Sequence, residues 1–165
     1  MLGLATLTLA AATPALAEDV YAVMFISPVS GLCMEAEGNG TGPWVKQVDC
    51  DFADDAQWWV LEYTGSSSLN QIRNLASGEC LDSVHGWLSM QQCGPWDSQK
   101  WAMHTVDGQG AASTRALRED DEGRCIDIPN GTTSTYWLQA HACHYDWNQW
   151  WTVFQPNGFR RTVNW

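Results

Sequence analysis

The sequence predicts an all-β chain built from three copies of one unit, and three observations carry that reading. First, a fixed order of landmarks occurs three times: Gly-x-Cys-apolar-acid, a tryptophan, a second cysteine, then Gln-x-Trp. Second, the segments between landmarks are short and alternate apolar with polar residues, the period of a half-buried strand. Third, no segment keeps apolar residues at i, i+3, i+4 and i+7 over three turns, so little helix is expected. Pattern alone leaves a sandwich, a barrel or a propeller open, although three repeats are few for a propeller.

The elements follow in order. Tyr21–Ile26, Asn70–Asn74 and Ser113–Arg118 read as strands that lead into Ser30-Gly31-Leu32-Cys33-Met34-Glu35, Ser77-Gly78-Glu79-Cys80-Leu81-Asp82 and Glu122-Gly123-Arg124-Cys125-Ile126-Asp127. Asn39-Gly40 and Asn130-Gly131, just beyond the acid of the first and third copies, are hairpin-turn dipeptides. Trp44, Trp87 and Trp137 each open a strand that ends at the second cysteine, Cys50, Cys93 or Cys143. Gln57-Trp58-Trp59, Gln99-Lys100-Trp101 and Gln149-Trp150-Trp151 close the copies. The repeats run over about 21–63, 64–106 and 107–165, within one domain of 18–165.

Residues 1–17 read as a secretory leader. Leu2 to Ala12 is apolar, and Ala15-Leu16-Ala17 has the small-x-small cleavage pattern, although Met1-Leu2-Gly3 lacks the usual basic start. The expected location is therefore extracellular or periplasmic, and six cysteines there point to disulfides. Six cysteines allow fifteen pairings in principle. A remainder of about 150 residues buries roughly 70% of its unfolded surface, enough for a core of its own. The formal net charge is −11, with eight basic residues against nineteen acids. Nucleic acids, polyanions and anionic membrane surfaces need a basic stripe, so none is an expected partner, and no membrane insertion is expected. Neutral ligands fit best.

Gly-x-Cys-apolar-Asp, a cysteine-ended strand and Gln-x-Trp, three times in register, resemble the ricin B-chain type of β-trefoil lectin over residues 21 to 165. The resemblance implies a pseudo-three-fold β-trefoil of twelve strands and a non-catalytic carbohydrate-binding function. It implies bridges Cys33–Cys50, Cys80–Cys93 and Cys125–Cys143, each typically worth about 2–4 kcal/mol. It also places Trp59, Trp101 and Trp151 in the shared core, with Gln57, Gln99 and Gln149 bonding nearby backbone.

The same resemblance assigns the sugar-reading positions: the acid after the first cysteine, the residues four and two before the second, and the residue before Gln-x-Trp. Such a set supplies a carboxylate for neighbouring hydroxyls, amides, and a ring against the apolar sugar face. The third copy carries Asp127, Gln139, His141 and Asn148 there. The second has Asp82, Ser89, Gln91 and Ser98, and the first has Glu35, Lys46, Val48 and Ala56. Main binding is thus expected at the third copy, for a neutral glycan such as a galactoside or xylan. Alternation along the strand puts Trp137, Gln139 and His141 on one side, so Trp137 is a second stacking surface or packs against the hairpins. Trp87 is the corresponding candidate for the copy that holds Asp82.

Other chemistry fits less well. Cys125, His141, Cys143 and His144 are metal-ligand types without zinc spacing, so no metal or cofactor is expected. The acids at 49–55 and 119–122 lack an EF-hand pattern and read as solvated loops. No hydrolase, metalloprotease or phosphate-loop motif occurs, and Glu35 and Asp82 are equivalent positions of separate copies, so catalysis is not expected. The alternative to a lectin acting alone is a partner-binding subunit, similar to the lectin-like subunits of cytolethal distending toxins. Surface tryptophans such as Trp96, Trp147 and Trp165 would then face a protein.

Overall fold

A computed structural model describes residues 18–37, 44–66, 68–84, 86–106, 114–156 and 160–163. The leader, Asn39-Gly40, Ser113 and Trp165 lie outside the described residues.

The chain is all-β. Strands β1 (Glu18–Ile26), β2 (Cys33–Ala36), β3 (Val45–Val48), β4 (Trp59–Tyr63) and β5 (Leu69–Asn74) are followed by β6 (Cys80–Val84), β7 (Trp87–Gln91) and β8 (Trp101–Thr105). Then come β9 (Thr114–Glu119), β10 (Arg124–Asp127), β11 (Tyr136–Trp137), β12 (Gln139–Ala142), β13 (Trp151–Phe154) and β14 (Arg160–Val163). The helical content of the described residues is three single 3-10 turns, which run into the motif glutamines at Asp55–Gln57, Asp97–Gln99 and Trp147–Gln149, while Pro129–Gly131 forms a turn with Asn130 left-handed. Among the described residues fourteen strands stand where twelve were expected, for two reasons. Leu138 interrupts one strand, turning its N–H to the Val45 carbonyl at 2.9 Å, and β14 pairs with the start of β1.

All fourteen join one antiparallel hydrogen-bonded network. Hairpins β2–β3, β6–β7 and β10–β12 carry the Gly-x-Cys-apolar-acid segments, with Glu35 opposite Lys46, Asp82 opposite Ser89, and Asp127 opposite Gln139. The hairpins also touch one another in a ring. Trp44 bridges to Ser89, Trp87 pairs with Gln139, and Trp137 pairs with Lys46.

The core gathers Trp59, Trp101 and Trp151, all fully buried, with Phe25, Met34, Ile72, Leu81, Leu117 and Ile126. Removing an indole of this kind from water is worth about 4–6 kcal/mol by area, as an upper bound. Each ring N–H is satisfied by the carbonyl that follows a first cysteine: Met34 at 3.1 Å, Leu81 at 3.0 Å and Ile126 at 3.3 Å. The three bridges Cys33–Cys50, Cys80–Cys93 and Cys125–Cys143 are formed.

One acidic loop departs from its solvated reading. Glu119 is fully buried, because its carboxylate accepts the N–H groups of Asp121, Glu122 and Arg124 and so organises the turn into β10. Asp54, in the other acidic loop, caps the turn at Asp55–Gln57 through the Ala56 N–H at 2.9 Å.

Candidate carbohydrate-binding site

The motif glutamine does more than brace backbone: in all three places it also grips the acid. Gln149 is fully buried, and its amide donates to Asp127 Oδ2 and to the Ala142 carbonyl, both at 3.0 Å. Its oxygen accepts the N–H groups of His144 (3.0 Å) and Tyr145 (3.1 Å). Gln99 donates to Asp82 Oδ2 at 2.9 Å, and Gln57 to Glu35 Oε2 at 2.8 Å. Carboxylate orientation is therefore tied to the same residue that precedes the core tryptophan.

The three acids differ in what else they meet. Asp127, 2% exposed, takes Gln139 Nε2 on Oδ1 at 2.9 Å and Asn148 Nδ2 on Oδ2 at 2.8 Å. His144 Nε2 lies 3.4 Å from the same Oδ2, and the His141 ring stands 6.1 Å from that of His144. Thus the structure brings Asp127, Gln139 and Asn148 together with His144, which the sequence singled out only as a metal-ligand type, and leaves His141 exposed at the edge. Asp82 is 4% exposed, and its Oδ1 has no hydrogen-bond partner among the described residues. A buried acceptor in that condition costs about 1–3 kcal/mol until a donor reaches it. Glu35 is closed instead by an ion pair with Lys46 at 3.3 Å, which offsets its charge.

Trp87 and Trp137 stand differently from the simple alternation picture. Trp137 packs on Trp44 at a ring distance of 6.2 Å, and Trp44 meets Trp87 edge-on at 5.3 Å. The three rings form a cluster where the hairpins meet. Residues directly opposite in a ladder share a face, so Trp87, across from Gln139, serves the surroundings of Asp127 as well as those of Asp82. Trp137 belongs equally beside Lys46, and with Glu37, Lys46, Thr135 and Tyr136 it lines a cleft of about 300 Å³. A second cleft of about 350 Å³ lies among His104, Thr105, Val106, Tyr145 and Trp150. Glu35, Asp82 and Asp127 line neither cleft.

Sequence reasoning missed the inter-hairpin register, since pairing between distant copies leaves no local signal. It also missed Gln47, fully buried and donating to the carbonyls of Thr132 and Ser134 at 2.8 Å each. For metals, both candidate cysteines are consumed by the Cys125–Cys143 bridge. The ligand types left nearby are Asp127, His141 and His144.

Comparison with known proteins places this geometry. A search among curated proteins returns no match. Among solved structures, the chain is similar to ThreeFoil, a designed three-fold symmetric protein, at 19% identity and a TM-score of 0.73, covering 82% of this chain and 99% of that one. It is similar to the Haemophilus ducreyi cytolethal distending toxin at 15% identity and a TM-score of 0.70, covering 87% and 89%. It is also similar to an exo-β-1,3-galactanase from Clostridium thermocellum, at 17% identity and a TM-score of 0.73, covering 82% of this chain but 30% of that enzyme. These likenesses establish a β-trefoil-like fold. The family model of the ricin-type β-trefoil lectin domain matches residues 22–151, and the chain belongs to that family.

Proposed function

We propose that this chain is a secreted, non-catalytic lectin that binds a neutral glycan such as a galactoside or xylan, principally at Asp127. In this reading residues 1–17 are the leader, and 18–165 form one pseudo-three-fold trefoil with repeats at about 21–63, 64–106 and 107–165. The observation that carries it is the buried Asp127 carboxylate, held by the amides of Gln139, Asn148 and Gln149 within a domain of a lectin family. A carboxylate offers about four acceptor positions, and three amide donors leave one for a hydroxyl while fixing its direction. Gln139 and Asn148 then contact the adjoining hydroxyls, and His141, Trp87 and Trp137 supply ring faces for the apolar side of the sugar.

Asp82 is the second site of this reading. Its Oδ1, unpartnered among the described residues, awaits a hydroxyl donor, and Trp44, across from Ser89, stands beside it. Glu35, paired with Lys46, binds nothing. Two shallow sites gain affinity together on a multivalent glycan.

A glycan array tests this, with wild type, Asp127→Ala and Asp82→Ala. A galactoside or xylan signal that Asp127→Ala removes, and that Asp82→Ala only weakens, is the expected result. Absence of any glycan signal from wild type overturns it. In that event the partner-binding reading takes over, which the exposed Trp44, Trp87, Trp96 and Trp147 favour.

A further inference from the structure

We propose that Asp127, His141 and His144 form a binding site for one divalent transition metal of the zinc class. Their candidate ligand atoms already lie within 4.8 Å of one another. A tetrahedral ion with bonds of about 2.0–2.1 Å holds its ligands roughly 3.3 Å apart, so closure needs shifts on the order of 1 Å. Both histidines are exposed and have room for that movement, while the carboxylate is buried and fixed by its three amide donors.

Three further features support metal ligation over a chance cluster. The segment is anchored: Cys143, bridged to Cys125, lies between the two histidines and limits how far they can part. His144 also has a partner behind each protonation pattern. Its Nε2 faces Asp127 at 3.4 Å, and its Nδ1 lies 3.3 Å from Asp146 Oδ2 as well as from the Asp146 N–H. When Nε2 ligates a metal the ring proton moves to Nδ1, where the Asp146 carboxylate accepts it. A carboxylate so placed would orient the ligating ring. Finally, the fold does not require these rings. Positions corresponding to His141 hold Val48 and Gln91, and those corresponding to His144 hold Asp51 and Gly94.

Two imidazoles and one carboxylate favour zinc, copper or nickel over calcium or magnesium, which take oxygen ligands. Net charge of −11 draws cations to the surface. Because the metal uses Asp127, it competes with the glycan there, a consequence that rests on the lectin reading.

The test uses the whole chain and no glycan. Zn²⁺ is titrated calorimetrically, and Co²⁺ is followed by its visible d–d absorption. One equivalent per chain is expected, with the Co²⁺ bands of a low-coordinate N/O site. His141→Ala and His144→Ala each weaken binding at least about tenfold, Asp146→Asn weakens it by about tenfold, and His104→Ala leaves it unchanged. Circular dichroism checks that the variants fold. No stoichiometric Zn²⁺ binding, or binding that persists in the His141→Ala/His144→Ala double variant, overturns the proposal. Since no sugar enters the assay, this result and failure of the lectin reading are separate outcomes.

Discussion

Replacing Gln149 by alanine removes four hydrogen bonds of 3.0–3.1 Å from a fully buried position. The stranded partners do not all suffer equally. His144, Tyr145 and Ala142 are exposed residues, so water reaches their freed backbone groups. Asp127 is buried, loses one donor and keeps those of Gln139 and Asn148. One or two groups left short, at about 1–3 kcal/mol each, give a loss of about 2–4 kcal/mol. For a domain of this size that lowers Tm by about 5–15 °C. Gln149→Glu keeps the shape but turns a donor into an acceptor facing Asp127 Oδ2 and the Ala142 carbonyl. At neutral pH it should cost more than alanine, and the deficit should shrink once acid protonates the new carboxyl. Calorimetry and near-ultraviolet circular dichroism, with disulfides intact, measure both. A Gln149→Ala protein melting within about 1 °C of wild type would refute the view that this side chain braces Asp127.

Three other outcomes follow from the same structure. Cys80→Ala/Cys93→Ala opens a bridge spanning 13 residues and should cost about 3 kcal/mol, read from denaturant midpoints under non-reducing conditions. Trp44→Ala removes two ring contacts and should cost about 1–3 kcal/mol, with loss of near-ultraviolet signal from Trp87 and Trp137. Glu79→Gln concerns a carboxyl whose pKa desolvation raises above its ordinary 4.5, with Oε2 buried and without a hydrogen-bond partner among the described residues. A raised pKa means that the fold favours the neutral acid. Glu79's contribution is therefore full below its ordinary value and is lost as pH rises through the raised one. The variant should match wild type in acid and exceed it at neutral pH; equal urea midpoints at both would contradict this.

Much of the architecture was legible because its signals are local and repeated. Gly-x-Cys and Gln-x-Trp recur in fixed order, and each marks a side chain that the core or a bridge consumes. Trp59, Trp101 and Trp151 are found buried, and the cysteines pair within copies. What escaped was long-range. Nothing near Gln47 in sequence announces carbonyls at Thr132 and Ser134, and nothing near Trp87 announces Gln139. The Lys46–Glu35 pair escaped for another reason: a resemblance reads Lys46 as a missing amide, whereas its charge closes the acid beside it. Glu119 looked like a solvated loop acid because composition cannot separate a side chain facing water from one that collects three backbone N–H groups.

The ring of contacts between hairpins reaches beyond stability. Trp44, Trp87 and Trp137 each stand against a different hairpin from their own: Trp44 at Ser89, Trp87 at Gln139, Trp137 at Lys46. The sequence segment that carries an acid is therefore not the whole of what surrounds that acid in space. A copy excised on its own would carry its carboxylate away from the indole that flanks it. A substitution at Trp87 would alter the surroundings of Asp127 as much as those of Asp82.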